Sequence, residues 1–182
     1  MRFILGMIVG VVLLCAAGFA YFALGFAPVA TNSPDMPFEK TLAKMALNKR
    51  IDKEMPQTVP IPVNDVTMMA GANVYIDDCA VCHGLPGQSQ TAIATGMYPK
   101  PPHLFKGKGV TDDPAGETYW KVANGIRLTG MPGFRQSLNE TQMWQVSILL
   151  ANADKASKDT LAILQNAKPT LTPPPPAGPA AP

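Results

Sequence analysis

The sequence predicts an all-α protein, with an N-terminal membrane-spanning helix followed by one small helical domain. Three observations predict it. Residues 3–27 contain no charged side chain. Residues 64–155 hold several helix start and stop signals and no alternating strand pattern of any length. Cys79-Ala80-Val81-Cys82-His83 concentrates two thiols and an imidazole inside that segment. A chain of 182 residues suits one modest domain plus accessory segments. A net charge of +2 argues against a nucleic-acid partner, and three cysteines are too few for a disulfide scaffold.

Residues 1–27 form the first element. A helix of about 25 residues would extend ~37 Å, enough to cross a ~30 Å hydrocarbon core with some tilt. Arg2 and the α-amino group then stay on the cytoplasmic side, and the rest of the chain is exported. The alternative is a signal peptide cleaved near Ala23, Gly25 or Ala27, which exports the chain equally. Cys15 lies within the apolar run. Leu14 stands where a lipoprotein signal wants a small residue, so Cys15 reads as an apolar membrane side chain. Residues 28–63 read as a linker opened by Pro28, Pro34 and Pro37 and closed by Pro56, Pro60 and Pro62. Between them Phe38, Leu42, Met45 and Ala46 fall on one helical face, predicting a short amphipathic helix that acts as a spacer or meets a partner or membrane surface.

Residues 64–155 are the globular segment. A helix starts near Val66, capped by Asn64 or Asp65, and runs into the cysteine motif. The next spans Ala115 to about Asn124, started by Asp113-Pro114 and stopped by Gly125. The last begins at Ser137, with Glu140 completing a capping box, and its body from Met143 to Leu150 is mostly apolar and so mostly buried. Residues 156–182 form an extension: a short helix through Leu161 and Leu164, then a proline-rich tail from Pro169.

C-x-x-C-H is the attachment motif of c-type haem. Two thiols three positions apart reach the two vinyl groups of one porphyrin, and the next residue falls beneath the iron. One haem c is therefore expected, covalently held by Cys79 and Cys82, with His83 as an iron ligand. A structural zinc site would need four ligands, and only His103 could join the three present. A thioredoxin-like pair would need a βαβ context, and a disulfide between Cys79 and Cys82 would close a short, strained loop.

From about Val66 to Leu150, roughly half of the chain, the sequence resembles the class I monohaem cytochrome c family. Gly71 and Tyr75 precede the motif at four-residue spacing, and Trp144 lies on the last helix; in the family such residues let the first and last helices cross closely. Pro102-His103-Leu104 resembles the family's Pro-x-Leu segment. The resemblance implies that the Pro102 carbonyl holds the His83 ring and that Leu104 packs on the haem. It also implies that Met131, in Gly130-Met131-Pro132-Gly133, is the sixth ligand, with Gly130 and Gly133 letting the backbone approach the porphyrin edge. Met143 reads as core, Met68 and Met69 lie on the histidine side, and Met97 lies in a proline-rich loop. His103 reads as a solvated proximal-side residue. Trp120 or Arg127 would serve a haem propionate, with packing as the alternative.

What the resemblance implies is an electron carrier, not an enzyme: one-electron, outer-sphere exchange at a His/Met-ligated haem. Its partners would be a redox donor and a redox acceptor, and its place the inner (cytoplasmic) membrane of a bacterium, with the haem domain facing the periplasm. It would act as a free shuttle or as the cytochrome subunit of a larger dehydrogenase or terminal oxidase. A haem sensor or peroxidase-like enzyme with a labile distal ligand is the reading from another class. Residues 64–155 carry seven Lys+Arg against eight Asp+Glu, so no strong electrostatic docking ring is evident. Lys100, Lys106 and Lys108 form a local basic loop that could face an acidic partner.

Overall fold

The computed structural model describes residues 2–106 and 112–169. Lys108 and nearly all of the proline-rich tail lie outside the described residues. The described residues are helical, with no strand. They divide into two compact units, Met1–Lys44 and Met45–Pro182.

In the first unit, helix α1 covers Arg2–Ala23 and buries none of its side chains. At 22 residues it is about 33 Å long, and it is the one helix among the described residues long and apolar enough to cross a membrane. Gly25, at φ 76°, turns the chain out of it. Helix α2, Glu39–Glu54, begins here, with the Glu39 carboxylate accepting from the Met36 N–H at 2.9 Å.

The second unit begins within α2 and contains the packed core. The apolar stripe expected on this helix is not what it buries. Phe38, Leu42 and Met45 are exposed, while Ile51 near its end is only 2% exposed. The reason is tertiary. Beyond Ile51 the chain lies against helix α6, Ala115–Asn124: Glu54 accepts from the Trp120 indole at 3.1 Å, and the Pro56 carbonyl occupies the space a side chain on Gly116 would need. The stretch from Ile51 to Pro56 is thus tied to this unit rather than acting as a free spacer.

Helix α3, Asp65–Val74, is capped by Asn64, whose side chain accepts from the Thr67 N–H at 2.9 Å. It continues as one π-helical turn, Tyr75–Cys79, into the short helix α4, Ala80–His83. Its main partner is α7, Glu140–Ala151, which buries Met143, Trp144, Val146, Ser147, Ile148 and Leu149. Gly71 sits at that crossing. A Cβ there would meet the Gln145 carbonyl, with its carbon only 2.7 Å away, and Leu149 Cβ at 3.1 Å. Two backbones so close leave no room for a side chain. The ring of Trp144 stacks on Tyr119 of α6 at 4.3 Å, which joins α6 to the same core.

Two helix starts differ from expectation. Helix α7 is capped one turn-fragment later, by Asn139 with Gln142 in a reciprocal capping box. Ser137 is consumed by the preceding turn, where its hydroxyl donates to Phe134 O at 3.3 Å, and Leu138 is drawn into the core. At α6, Pro114 is the cap residue and Asp113 does not cap; its carboxylate instead pairs with Lys121 at 2.6 Å. The expected boundary at 155 also moves. Helix α8, Lys158–Asn166, packs on α3 and buries Leu164 completely, so the packed unit extends through it.

Candidate haem-binding site

The π-helical turn and α4 place Cys79, Cys82 and His83 on one short helical stretch. Both thiols are free. Burial, with Asp78 and Cys82 adding to it, pushes the Cys79 thiol up to about 12, and burial raises Cys82 as well. Neither is a ready metal thiolate at neutral pH. No group of three or more His, Cys, Asp or Glu side chains among the described residues could hold a metal ion, so a zinc site gains no support.

The His83 Nδ1 lies 2.8 Å from the Pro102 carbonyl. That bond makes Nδ1 the protonated nitrogen and leaves Nε2 as the nitrogen for a metal. Burial holds the imidazole below its ordinary range, overriding the opposing effect of the Pro102 bond, and the neighbouring His103 acts in the same direction as burial. The ring is therefore neutral, as a ligand must be.

Several groups fix this arrangement. Tyr75 donates to the Gly84 carbonyl at 2.7 Å and packs edge-on against Phe105 at 4.9 Å. Burial, then the charge of Cys79, drives the Tyr75 hydroxyl upward, so it remains a donor. Gln90 donates to Pro101 O at 2.8 Å, immediately before the carbonyl that holds His83. Thr91 donates to Val81 O at 2.6 Å, tying helix α5, Ala92–Gly96, to α4. Leu104 packs against the core beside Phe105. His103 is not a solvated loop residue: its Nδ1 accepts from the Phe105 N–H at 3.2 Å, its Nε2 meets Gln88 O at 3.3 Å, and its ring lies against Gly84.

Met131 lies in the loop between α6 and α7, half-buried against the core. The loop closes on itself. The Ile126 N–H donates to Met131 O at 3.1 Å, and the Phe134 N–H to Val122 O at 2.9 Å. Gly125, at φ 68°, has its open side filled by the backbone of residues 131–133. Thr129 donates to Ile126 O at 2.7 Å and accepts from the Met131 N–H at 3.1 Å. Gly133 is likewise covered by the Asn124 backbone and Gly130 by the Met97 side chain.

Arg127 is exposed and makes no described hydrogen bond or ion pair. Trp120 differs from the expectation of a propionate partner: its indole N–H is taken by Glu54. Met68 and Met143 are buried in the core. Thr129, Gln90 and Thr91 were missed by sequence reasoning, as was the packing of Met97 on Gly130; only Thr91 had a local signal, as the side-chain cap of α5.

The donor set fits haem c, with two protonated thiols, one neutral imidazole tied at Nδ1 and a thioether in a closed loop. A family model described as cytochrome c oxidase, cbb3-type, subunit III matches residues 66–148. No curated protein matches the chain. Residues 66–148 are thus a c-type cytochrome domain, a haem c type of domain, carried behind an apolar N-terminal helix.

Proposed function

We propose that this protein is a membrane-anchored, monohaem electron carrier. Cys79 and Cys82 would hold the haem by thioether bonds, with His83 and Met131 as axial ligands. The observation that carries the reading is the 2.8 Å contact between His83 Nδ1 and Pro102 O within a C-x-x-C-H helix. It orients the ring, makes it more basic and commits Nε2 to the iron. Haem supplies the reversible one-electron couple of its iron. The chain's own residues hold and tune it. Met131 offers a soft, neutral thioether that favours the reduced state, and Arg127 has a free cationic head for a propionate. With His83 and Met131 both holding the iron, a bound haem would have no open site for substrate, which leaves electron transfer. Helix α1 would anchor the domain, facing the periplasm by the positive-inside rule.

The family match favours one setting over a free shuttle, that of a cytochrome subunit of a terminal oxidase complex. The first test is absorption spectroscopy of the purified protein, oxidised and reduced, with and without carbon monoxide. Sharp c-type bands, a far-red sulfur-to-iron band when oxidised and no carbon monoxide response are expected. A high-spin spectrum or prompt carbon monoxide binding would move the sensor or peroxidase reading to the front. Co-purification with oxidase chains separates subunit from shuttle.

A further inference from the structure

Met97 links the two halves of the site. It follows α5 directly, and its N–H donates to Ala94 O at 3.4 Å as that helix ends. Helix α5 is in turn tied to α4 through Thr91. The Met97 side chain then reaches across to the other loop. Its terminal methyl lies where a Cβ on Gly130 would stand, and its sulfur would be 3.4 Å from that atom. Met97 is half-buried, in a loop otherwise dominated by proline.

We propose that Met97 is a positioning residue for the sixth ligand: packed on Gly130, it braces the loop that presents Met131. The proposal rests on reading Met131 as that ligand. A thioether on three rotatable bonds fills an irregular gap well, and Gly130 supplies the gap by having no side chain. The hydrogen bonds around Met131 run within residues 121–138, whereas the Met97 side chain reaches this loop from the histidine side. Without the brace, Met131 should yield more readily to a competing ligand.

The test uses the full-length, haem-loaded protein in detergent, titrated with imidazole in the ferric state. Met97→Ala should keep the far-red band but bind imidazole about tenfold more tightly, equal to ~1.4 kcal/mol. Met97→Leu, which restores the bulk without sulfur, should return to the wild-type affinity. In Gly130→Ala the new methyl displaces the flexible end of Met97, so this variant should resemble Met97→Ala, and combining the two should add nothing. Wild-type imidazole affinity in Met97→Ala overturns the proposal, as does additivity in the double variant. Failure of Met97→Leu to rescue also overturns it, because the sulfur itself would then matter. Met131→Ala is the control for the underlying reading. Loss of the far-red band there, with a null result at Met97, sinks the brace alone. Survival of the band sinks the ligand assignment and the brace with it.

Discussion

His83 is held from several directions, whereas Met131 hangs in a loop that closes largely on itself. Around His83, the Pro102 carbonyl, the buried Tyr75 hydroxyl, Gln90 and Thr91 join segments up to 19 residues apart. Around Met131, the hydrogen bonds stay inside residues 121–138. A network that crosses the fold costs global stability to break, while a local loop opens at a fraction of that cost. The comparison teaches that one proposed iron ligand is built into the scaffold and the other is adjustable.

Removing each proposed ligand gives the largest contrast. His83→Ala should reduce the yield of covalently haem-loaded protein about tenfold or more, measured by haem staining against total protein. Met131→Ala should load haem near normally yet bind carbon monoxide when reduced. Equal loss of loading in both would erase the distinction. Gly71→Val strikes the scaffold beneath both sides: its side chain collides with the α7 backbone and should cost ~3 kcal/mol in denaturant unfolding of the haem-loaded protein. The far-red band of the fraction that remains folded should be unchanged.

A matched pair sharpens the contrast further. Tyr75→Phe leaves a buried carbonyl without its donor and should lower global stability by ~1–2 kcal/mol. Thr129→Val removes two bonds within the methionine loop. It should act mainly on imidazole affinity, by severalfold, and little on the unfolding midpoint. The smallest effect concerns Lys121, on the helix that leads into that loop. Burial tends to lower its pKa, but hydrogen bonds to and the charges of Asp113 and Glu117 outweigh this and raise it above the ordinary 10.5. A raised folded-state value stabilises the protein below the unfolded-state value and loses that contribution as pH climbs through the folded one. The stability difference between wild type and Lys121→Met should therefore hold steady at neutral pH and shrink above about pH 10.5, as followed by thermal melts.

The histidine side was the more legible in sequence, because its essentials are contiguous: a five-residue motif, a Pro-x-Leu segment and a capped helix. Asn64 and Gly125 could be read as helix signals for the same local reason. Two capping boxes overlap at α7, and the burial of Leu138, a tertiary fact, decides between Ser137 and Asn139. Ile51 escaped notice, as did the burial of Leu164 and the packing of Met97 on Gly130, because these depend on residues far along the chain. An apolar stripe of Phe38, Leu42 and Met45 was equally visible, and it remains exposed.

The final helix has a consequence for the order of assembly. Gln88, just past the haem motif, donates to Ala167 O at 3.0 Å and Gln165 O at 3.4 Å, and Leu164 is sealed into the core. If the chain is exported as proposed, its cysteines would emerge well before the helix that locks the loop behind them. That stitch is made by the most C-terminal of the described helices, so on the proposed export the motif would stay open for an interval before it is covered.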